Sequence, residues 1–240
     1  MKPKLDTCIA IPTINELSNL KVLLPELRRI FPDALILIID DGSTDGTTEY
    51  IEGLQLIQSG YDSISRSTRL GIGSAHILGM QYARQWGFKY LITLDGDLTH
   101  RCLDVERVFE QIEDSELVIG SRYLKDSEIV GWSNFRLALT SLGHLATCLF
   151  FHSNLDMSSG LRVYRVDYIP FERIVLNCPS NYEFFFISAL IYLRSDLRIS
   201  EVPITLLERN DGKSKMTIGL MLAGIFKLLL FGMRFRKLNI

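Results

Sequence analysis

The chain has no long apolar run, no cysteine framework and no excess of either charge, and each absence removes a class of protein. Its 240 residues carry 26 Lys and Arg against 28 Asp and Glu, a formal net charge of −2. That balance lacks the basic footprint of a nucleic-acid-binding domain, so no nucleic acid is expected as a partner. The four cysteines, Cys8, Cys102, Cys148 and Cys178, lie far apart and form no Cys-x-x-Cys pair. Neither a disulfide scaffold nor a cysteine metal site is indicated, and a reduced, cytoplasmic setting is expected. Met1 to Asp6 is polar and holds no apolar signal core. The most apolar segment, Ile218 to Met233, is about 16 residues long and is interrupted by Lys227, whereas a spanning helix needs about 20. No internal repeat, low-complexity stretch or Pro/Gly-rich linker divides the chain. One large α/β domain over residues 1–216 with a tail over 217–240 is the organisation this length and pattern imply.

What is present is alternation of short β-rich runs with longer amphipathic stretches, the pattern of a mostly parallel central sheet flanked by helices. Strands are expected at Thr7 to Ile11, Ala34 to Ile39, Leu54 to Ile57, Tyr90 to Leu94 and Glu116 to Gly120. Leu20, Leu23, Leu24 and Leu27 share one helical face within Leu17 to Arg29, and Gly73 to Trp86 also reads as helix. Further on, Leu137 to Phe151 and Asn181 to Leu193 are apolar and helical, and Ile199 to Leu207 is extended.

In open α/β sheets ligands collect beyond the carboxyl ends of the strands. Three such places are strongly polar: Pro12 to Glu16, Asp40 to Thr47, and Asp95-Gly96-Asp97. Asp95 and Asp97 flank a glycine, so both carboxylates can approach one hard cation; Mg2+ or Mn2+ is held by one or two carboxylates plus substrate phosphates. An ordinary turn of good turn formers is the other reading of those three residues. Asp40 and Asp41 close a buried strand, where a carboxylate can accept from a base or a ribose hydroxyl; the residues after them also suit helix capping. Taken singly, Arg136, Arg162 and Arg209 read as solvated surface charges. His100 stands where it could neighbour a metal, His76, His144 and His152 are candidates by residue type alone, and all four are read as structural and given no role.

Read together and in order, the motifs Pro12-Thr13-Ile14-Asn15-Glu16, Asp40 to Thr47, Arg66 to Ala75, Leu94 to His100 and Gly120-Ser121-Arg122-Tyr123 resemble family 2 glycosyltransferases of the GT-A (Rossmann-like) fold. Trp132 with Arg136, Asp156 to Tyr164, and Arg209 to Lys215 are similar to the branch that holds dolichol-phosphate mannose synthase and polyprenyl-phosphate glycosyltransferases. The resemblance implies that Pro12, Thr13, Glu16, Ile38, Asp40, Asp41, Asp95 and Gly96 face a nucleoside diphosphate sugar, GDP- or UDP-hexose. It implies that Asp95, Asp97 and Thr99 stand at a metal, and that Asp97, Arg122, Arg136, Arg209 and Lys215 serve the reaction and its phosphates. Two positions depart from the pattern: Ile14 replaces a frequent tyrosine and leaves the base open, and Thr99 replaces a frequent glutamine and is a poorer ligand.

A lipid phosphate is ionised near neutral pH and needs no protein base; the enzyme must instead overcome repulsion between two anions, a task suited to arginine. The expected reaction is inverting transfer of a hexose, mannose or glucose, to a polyprenyl phosphate at the cytosolic membrane face. The alternatives are a hydroxyl acceptor, for which Glu183 is the candidate base, an inactive nucleotide-sugar-binding membrane adaptor, and a nucleotidyltransferase. The apolar tail, with Arg234, Arg236 and Lys237 after it, suits a helix lying in the headgroup region, or else a core or oligomer contact. Leu137 to Phe151 invites the same choice and is taken to face the membrane or cover the acceptor. A homo-oligomer or a membrane-protein partner stays open.

Overall fold

The computed structural model describes residues 6–209; Lys215 and the apolar tail lie outside the described residues. The elements run β1 (Thr7–Thr13), α1 (Leu17–Ile30), β2 (Leu35–Asp40), α2 (Thr47–Ile57), β3 (Tyr61–Ser65), α3 (Ile72–Gln85), β4 (Tyr90–Thr93), α4 (Cys102–Glu110), β5 (Leu117–Ser121), β6 (Glu128–Ile129), α5 (Asn134–Phe151), β7 (Arg162–Arg165), α6 (Phe171–Asn177), α7 (Glu183–Leu193), β8 (Ile199–Pro203) and β9 (Thr205–Leu206).

Seven strands form one sheet in the order β3-β2-β1-β4-β7-β5-β8, with β6 and β9 paired apart from it. All neighbours in the large sheet are parallel except β7, which runs antiparallel between β4 and β5. Successive side chains of a strand point to opposite faces, and here both faces are buried. Ile9 and Ile11 of β1, Ile36 and Ile38 of β2, and Val118 of β5 enter one core with Leu20, Leu23, Leu24 and Leu27 of α1 and Val105 and Val108 of α4. Cys8 and Ala10, Leu37 and Ile39, and Ile119 enter the other with α3, α6 and α7. The carboxyl ends of β1, β2 and β4 therefore open on one edge, which locates the site.

The sequence expectation fails at Leu54 to Ile57, which is the last part of α2 and not a strand. Asp45 accepts from the backbone N–H and hydroxyl of Thr47 at 3.1 and 2.5 Å, starting a helix that carries through those residues and leaves Leu56 and Ile57 exposed. The strand lies further on at β3.

His76 of α3 is buried beneath the site, stacked on Phe184 at 5.2 Å and edge-on to Phe185 at 4.9 Å, with neither ring nitrogen hydrogen-bonded. Burial pushes its pKa down to about 4; the Asp95 charge opposes the fall and the Arg162 charge adds to it. An unfolded histidine titrates near ~6.5, so between these values the unfolded chain binds the extra proton. His76 should therefore cost no stability above about pH 6.5, and on the order of 3 kcal/mol should be lost as the pH falls toward 4. Urea unfolding of the wild type and of His76→Leu across this window should show a distinctly shallower loss in the variant.

Candidate active site

The first two polar turns are tied together by hydrogen bonds. Asn15 donates its backbone N–H to Ser43 Oγ at 2.8 Å and accepts from the N–H of Thr44 on its side chain at 2.7 Å. Asp45 also accepts from the N–H of Leu17 at 3.0 Å, so one carboxylate serves the first turns of both α1 and α2. The third turn packs on the first: a Cβ on Gly96 would stand 3.3 Å from Ile11 and 3.4 Å from the Thr13 hydroxyl. The convergence expected from sequence is present.

Within it, several side chains assigned to the nucleotide serve the loops that surround the site. Asp40 accepts from the backbone N–H and hydroxyl of Ser43 at 3.1 and 2.5 Å and from Thr48 Oγ1 at 2.6 Å. Asp41 accepts from the N–H groups of Leu70 and Gly71 at 2.8 and 3.0 Å and pairs with Arg66 at 3.0 Å. The Arg66 to Gly71 loop is thereby pinned to the end of β2. Its continuation lies against the segment before α7: a Cβ on Gly71 or Gly73 would meet the carbonyl of Ser180 or Pro179 at 2.5 or 2.4 Å. Glu16 is buried, accepts from Asn19 at 2.6 Å and pairs with Arg209. Pro12 is partly exposed at the edge, whereas Thr13 is buried and donates to the Ile11 carbonyl at 3.2 Å. The side chain of Ile38 lines no pocket; the strand alternation sends it into the α1 core, where it is fully buried.

Asp95 and Asp97 differ from these acids. Both are partly exposed, and among the described residues the nearest basic groups are His100 Nε2, 3.7 Å from Asp95, and Arg209 Nη1, 3.9 Å from Asp97. Thr99 does not stand apart as a ligand; its hydroxyl donates to Asp97 Oδ1 at 2.7 Å and its N–H to the same oxygen at 3.2 Å. Burial and the neighbouring Asp95 charge push the Asp97 carboxyl up, against the Thr99 bonds, while for Asp95 burial is outweighed by His100, then His76 and then Arg122, which together hold its carboxyl low. Two carboxylates in repulsion, with hard oxygen donors at the mouth of the sheet, fit Mg2+ or Mn2+, which take one or two carboxylates and complete their shell with water and phosphate. No cluster of three or more His, Cys, Asp or Glu side chains suited to a metal occurs among the described residues; a cation held by this pair would take its other positions from substrate oxygens and water.

The basic residues fall into three kinds. Arg122 is locked: Nε and Nη2 donate to the two oxygens of the fully buried Asp156 at 2.8 and 2.7 Å, its backbone N–H donates to the same residue at 3.1 Å, and Nη2 also bonds Ser158. Burial disfavours its charge, but Asp156 more than restores it. Next to it Tyr123 stacks on His144 of α5 at 3.7 Å and so holds that helix over the site. Arg136, in the first turn of α5, lies 3.6 Å over the Trp132 ring, and Arg209 reaches from Glu16 toward Asp97. Arg162 is neither a surface charge nor a phosphate group. It is fully buried and donates to the carbonyls of Ser159, Met157 and Phe185 and to Ser188 Oγ at 2.8–3.0 Å.

Sequence reasoning gave Asp156, Arg66 and His100 no role. The Asp156 to Tyr164 motif was visible, but only the fold shows that its first residue partners Arg122. Removing one member of a buried pair strands the other, at about 3–5 kcal/mol. Asp156→Ala should therefore lower the urea midpoint strongly, and Asp156→Ala combined with Arg122→Met should recover a large part of that loss.

Comparison with known proteins agrees with this architecture. Residues 8–170 match the family described as Glycosyl transferase family 2. The chain is 30% identical over 227 residues to the undecaprenyl-phosphate mannosyltransferase of Micrococcus luteus, covering 94% of this chain and 93% of that one. It is 28% identical over 241 residues to the polyprenol monophosphomannose synthase of Mycolicibacterium smegmatis, covering 98% and 90%. Among solved structures it superimposes on glucosyl-3-phosphoglycerate synthase from Mycobacterium tuberculosis, in complex with Mn2+, uridine diphosphate and glucosyl-3-phosphoglycerate. The TM-score is 0.68 at 18% identity over 96% of this chain and 81% of that one, a likeness that establishes the fold. With its motifs in order, its mostly parallel sheet and a family match over residues 8–170, the chain belongs to glycosyl transferase family 2.

Proposed function

We propose that the chain transfers a hexose from GDP- or UDP-hexose to a polyprenyl phosphate, with inversion, at the cytosolic surface of a membrane. The observation that carries this reading is the Asp95–Asp97 pair: two neighbouring, partly exposed acids at the carboxyl end of the sheet, whose nearest basic groups among the described residues are His100 at 3.7 Å and Arg209 at 3.9 Å, with Arg136 close enough to feel the Asp97 charge. A bound Mg2+ or Mn2+ there supplies Lewis-acid neutralisation of the charge developing on the departing diphosphate. Arg122, fixed by Asp156, adds a permanent positive charge without being able to swing toward a ligand. Arg136, held over Trp132, and Arg209 are the cations placed to receive phosphate oxygens, and with them Lys215 is expected to serve. An acceptor phosphate is already a nucleophile, so the residues need only hold it in line and screen its charge from the donor. The named activities of the Micrococcus and Mycolicibacterium relatives support a polyprenyl phosphate acceptor and mannose as the sugar.

The membrane enters through α5. Phe135, Leu142, Leu145 and Leu149 fall on one face of this helix and are 54–68% exposed. The helix carries no acidic residue, and its single arginine, Arg136, sits at the site end. An apolar face of this kind suits the acyl boundary, with the phosphate-binding end turned to the headgroups. No helix of the described residues is long and apolar enough to cross a membrane.

Purified protein with Mn2+ or Mg2+, labelled nucleotide sugars and a short polyprenyl phosphate should yield labelled lipid. Asp97→Asn should reduce the rate by roughly 10²-fold or more; label on a hydroxyl acceptor instead, or nucleotide binding without turnover, would overturn the proposal. In flotation with anionic vesicles, Leu142→Glu with Leu149→Glu should lose membrane binding while keeping the wild-type thermal midpoint. A wild-type protein that stays off vesicles and sediments as a dimer would instead make the α5 face an oligomer contact.

A further inference from the structure

His100 follows the acidic pair closely in sequence, yet its side chain is almost wholly buried, 3% exposed, where an aliphatic residue would ordinarily cost less. Its Nε2 lies 3.7 Å from Asp95 Oδ2, and its Nδ1 is sealed from solvent with no hydrogen-bond partner among the described residues. A buried N–H without an acceptor costs the full desolvation of a donor. The arrangement of lower cost therefore puts the lone pair on Nδ1 and the hydrogen on Nε2, facing the carboxylate. The distance is slightly beyond hydrogen-bond range, and a small rotation of either side chain closes it.

The backbone beneath is fixed as well. His100 bridges to Leu206, and the N–H of Leu207 donates to the carbonyl of Thr99 at 2.9 Å, so the histidine cannot follow the loop if the loop moves. The same oxygen is approached by the backbone of the loop before β7: a Cβ on Gly160 would stand only 3.1 Å from Asp95 Oδ2. Asp95 Oδ2 is thus packed closely by an imidazole and by a glycine where a side chain would force the carboxylate to shift.

We propose that His100 is a positioning residue, holding the Asp95 carboxylate in one orientation so that a divalent cation with its diphosphate meets a preformed ligand. The inference rests on the reading of Asp95 and Asp97 as a cation site. Partners of this kind around metal-binding groups change affinity by about 10–100-fold when removed.

The test is calorimetric titration of Mn2+ into the full chain saturated with uridine diphosphate, and separately with guanosine diphosphate. Wild type, His100→Gln, His100→Asn and His100→Leu are compared, with thermal midpoints measured alongside. Gln can place an amide N–H where Nε2 stands and should bind Mn2+ within about threefold of wild type. Asn is too short to reach and Leu has no donor, so both should weaken binding about 10–100-fold. If Leu fails to fold, the comparison of Gln with Asn decides, because both keep a polar amide and differ in reach. Wild-type Mn2+ affinity in Leu or Asn, or equal loss in Gln and Asn, would overturn the positioning role. Absence of Mn2+ binding by the wild type with either nucleotide would overturn the cation-site reading, and the inference with it.

Discussion

Six carboxylates gather at one edge of the sheet, and the cost of burying like charges together governs how the surrounding loops are built. Glu16, Asp40, Asp41 and Asp156 are buried, and ionised groups in such places persist only when paired or hydrogen-bonded. Each has its solution: Arg209 and Asn19 for Glu16, Ser43 and Thr48 for Asp40, Arg66 and two backbone N–H groups for Asp41, Arg122 for Asp156. These pairings bring distant stretches of the chain into register. Asp41 fixes the loop that leads into α3, and Asp156 fixes the loop that leads into β7. Among the described residues the Asp95–Asp97 pair is held less closely, with His100 at 3.7 Å and Arg209 at 3.9 Å, and its negative charge is what the proposed cation and its diphosphate would satisfy.

The same arrangement gives the site a preorganised field. Arg122 is held on two of its nitrogens by a buried carboxylate, and Arg136 sits 3.6 Å over the Trp132 ring. Neither must reorganise when charge shifts between donor and acceptor, the condition under which fixed charges contribute most to a reaction. Because α5 carries Arg136 at one end, is clamped by the Tyr123–His144 stack and exposes its leucines on one face, it is the single element to which the proposal assigns both the apolar and the anionic part of a lipid phosphate.

Much of this was legible before any coordinates. The continuous apolar runs of β1, β2 and β4 and the leucine spacing of α1 are strong local signals, and the polar turns that follow the strands converge as the topology of parallel sheets requires. Other parts were hidden for identifiable reasons. β7 spans only four residues and begins and ends with arginine, so its central place between β4 and β5 has no local signature. Arg162 looks like a surface charge in sequence because the carbonyls that satisfy it come from Met157, Ser159 and Phe185, two of them near in sequence and one from a later helix. Arg122 looks like a free phosphate ligand until Asp156 is seen beside it, 34 residues away. Ile38 lies two residues before Asp40 on the same face of β2, but one step deeper, so its side chain is closed in by the core while Asp40 reaches the loops at the strand end.

The view of the site as a place where two phosphates are held together, and a sugar passes between them in one displacement, is tested most directly by the structure of the product. Lipid isolated from a reaction with purified protein can be examined by phosphorus and proton NMR for the atom that carries the sugar and for its anomeric configuration. The arrangement described here predicts a phosphodiester between sugar and prenyl chain, with the anomeric configuration opposite to that of the donor. A glycosidic bond to a hydroxyl, or retention of the donor configuration, would contradict it.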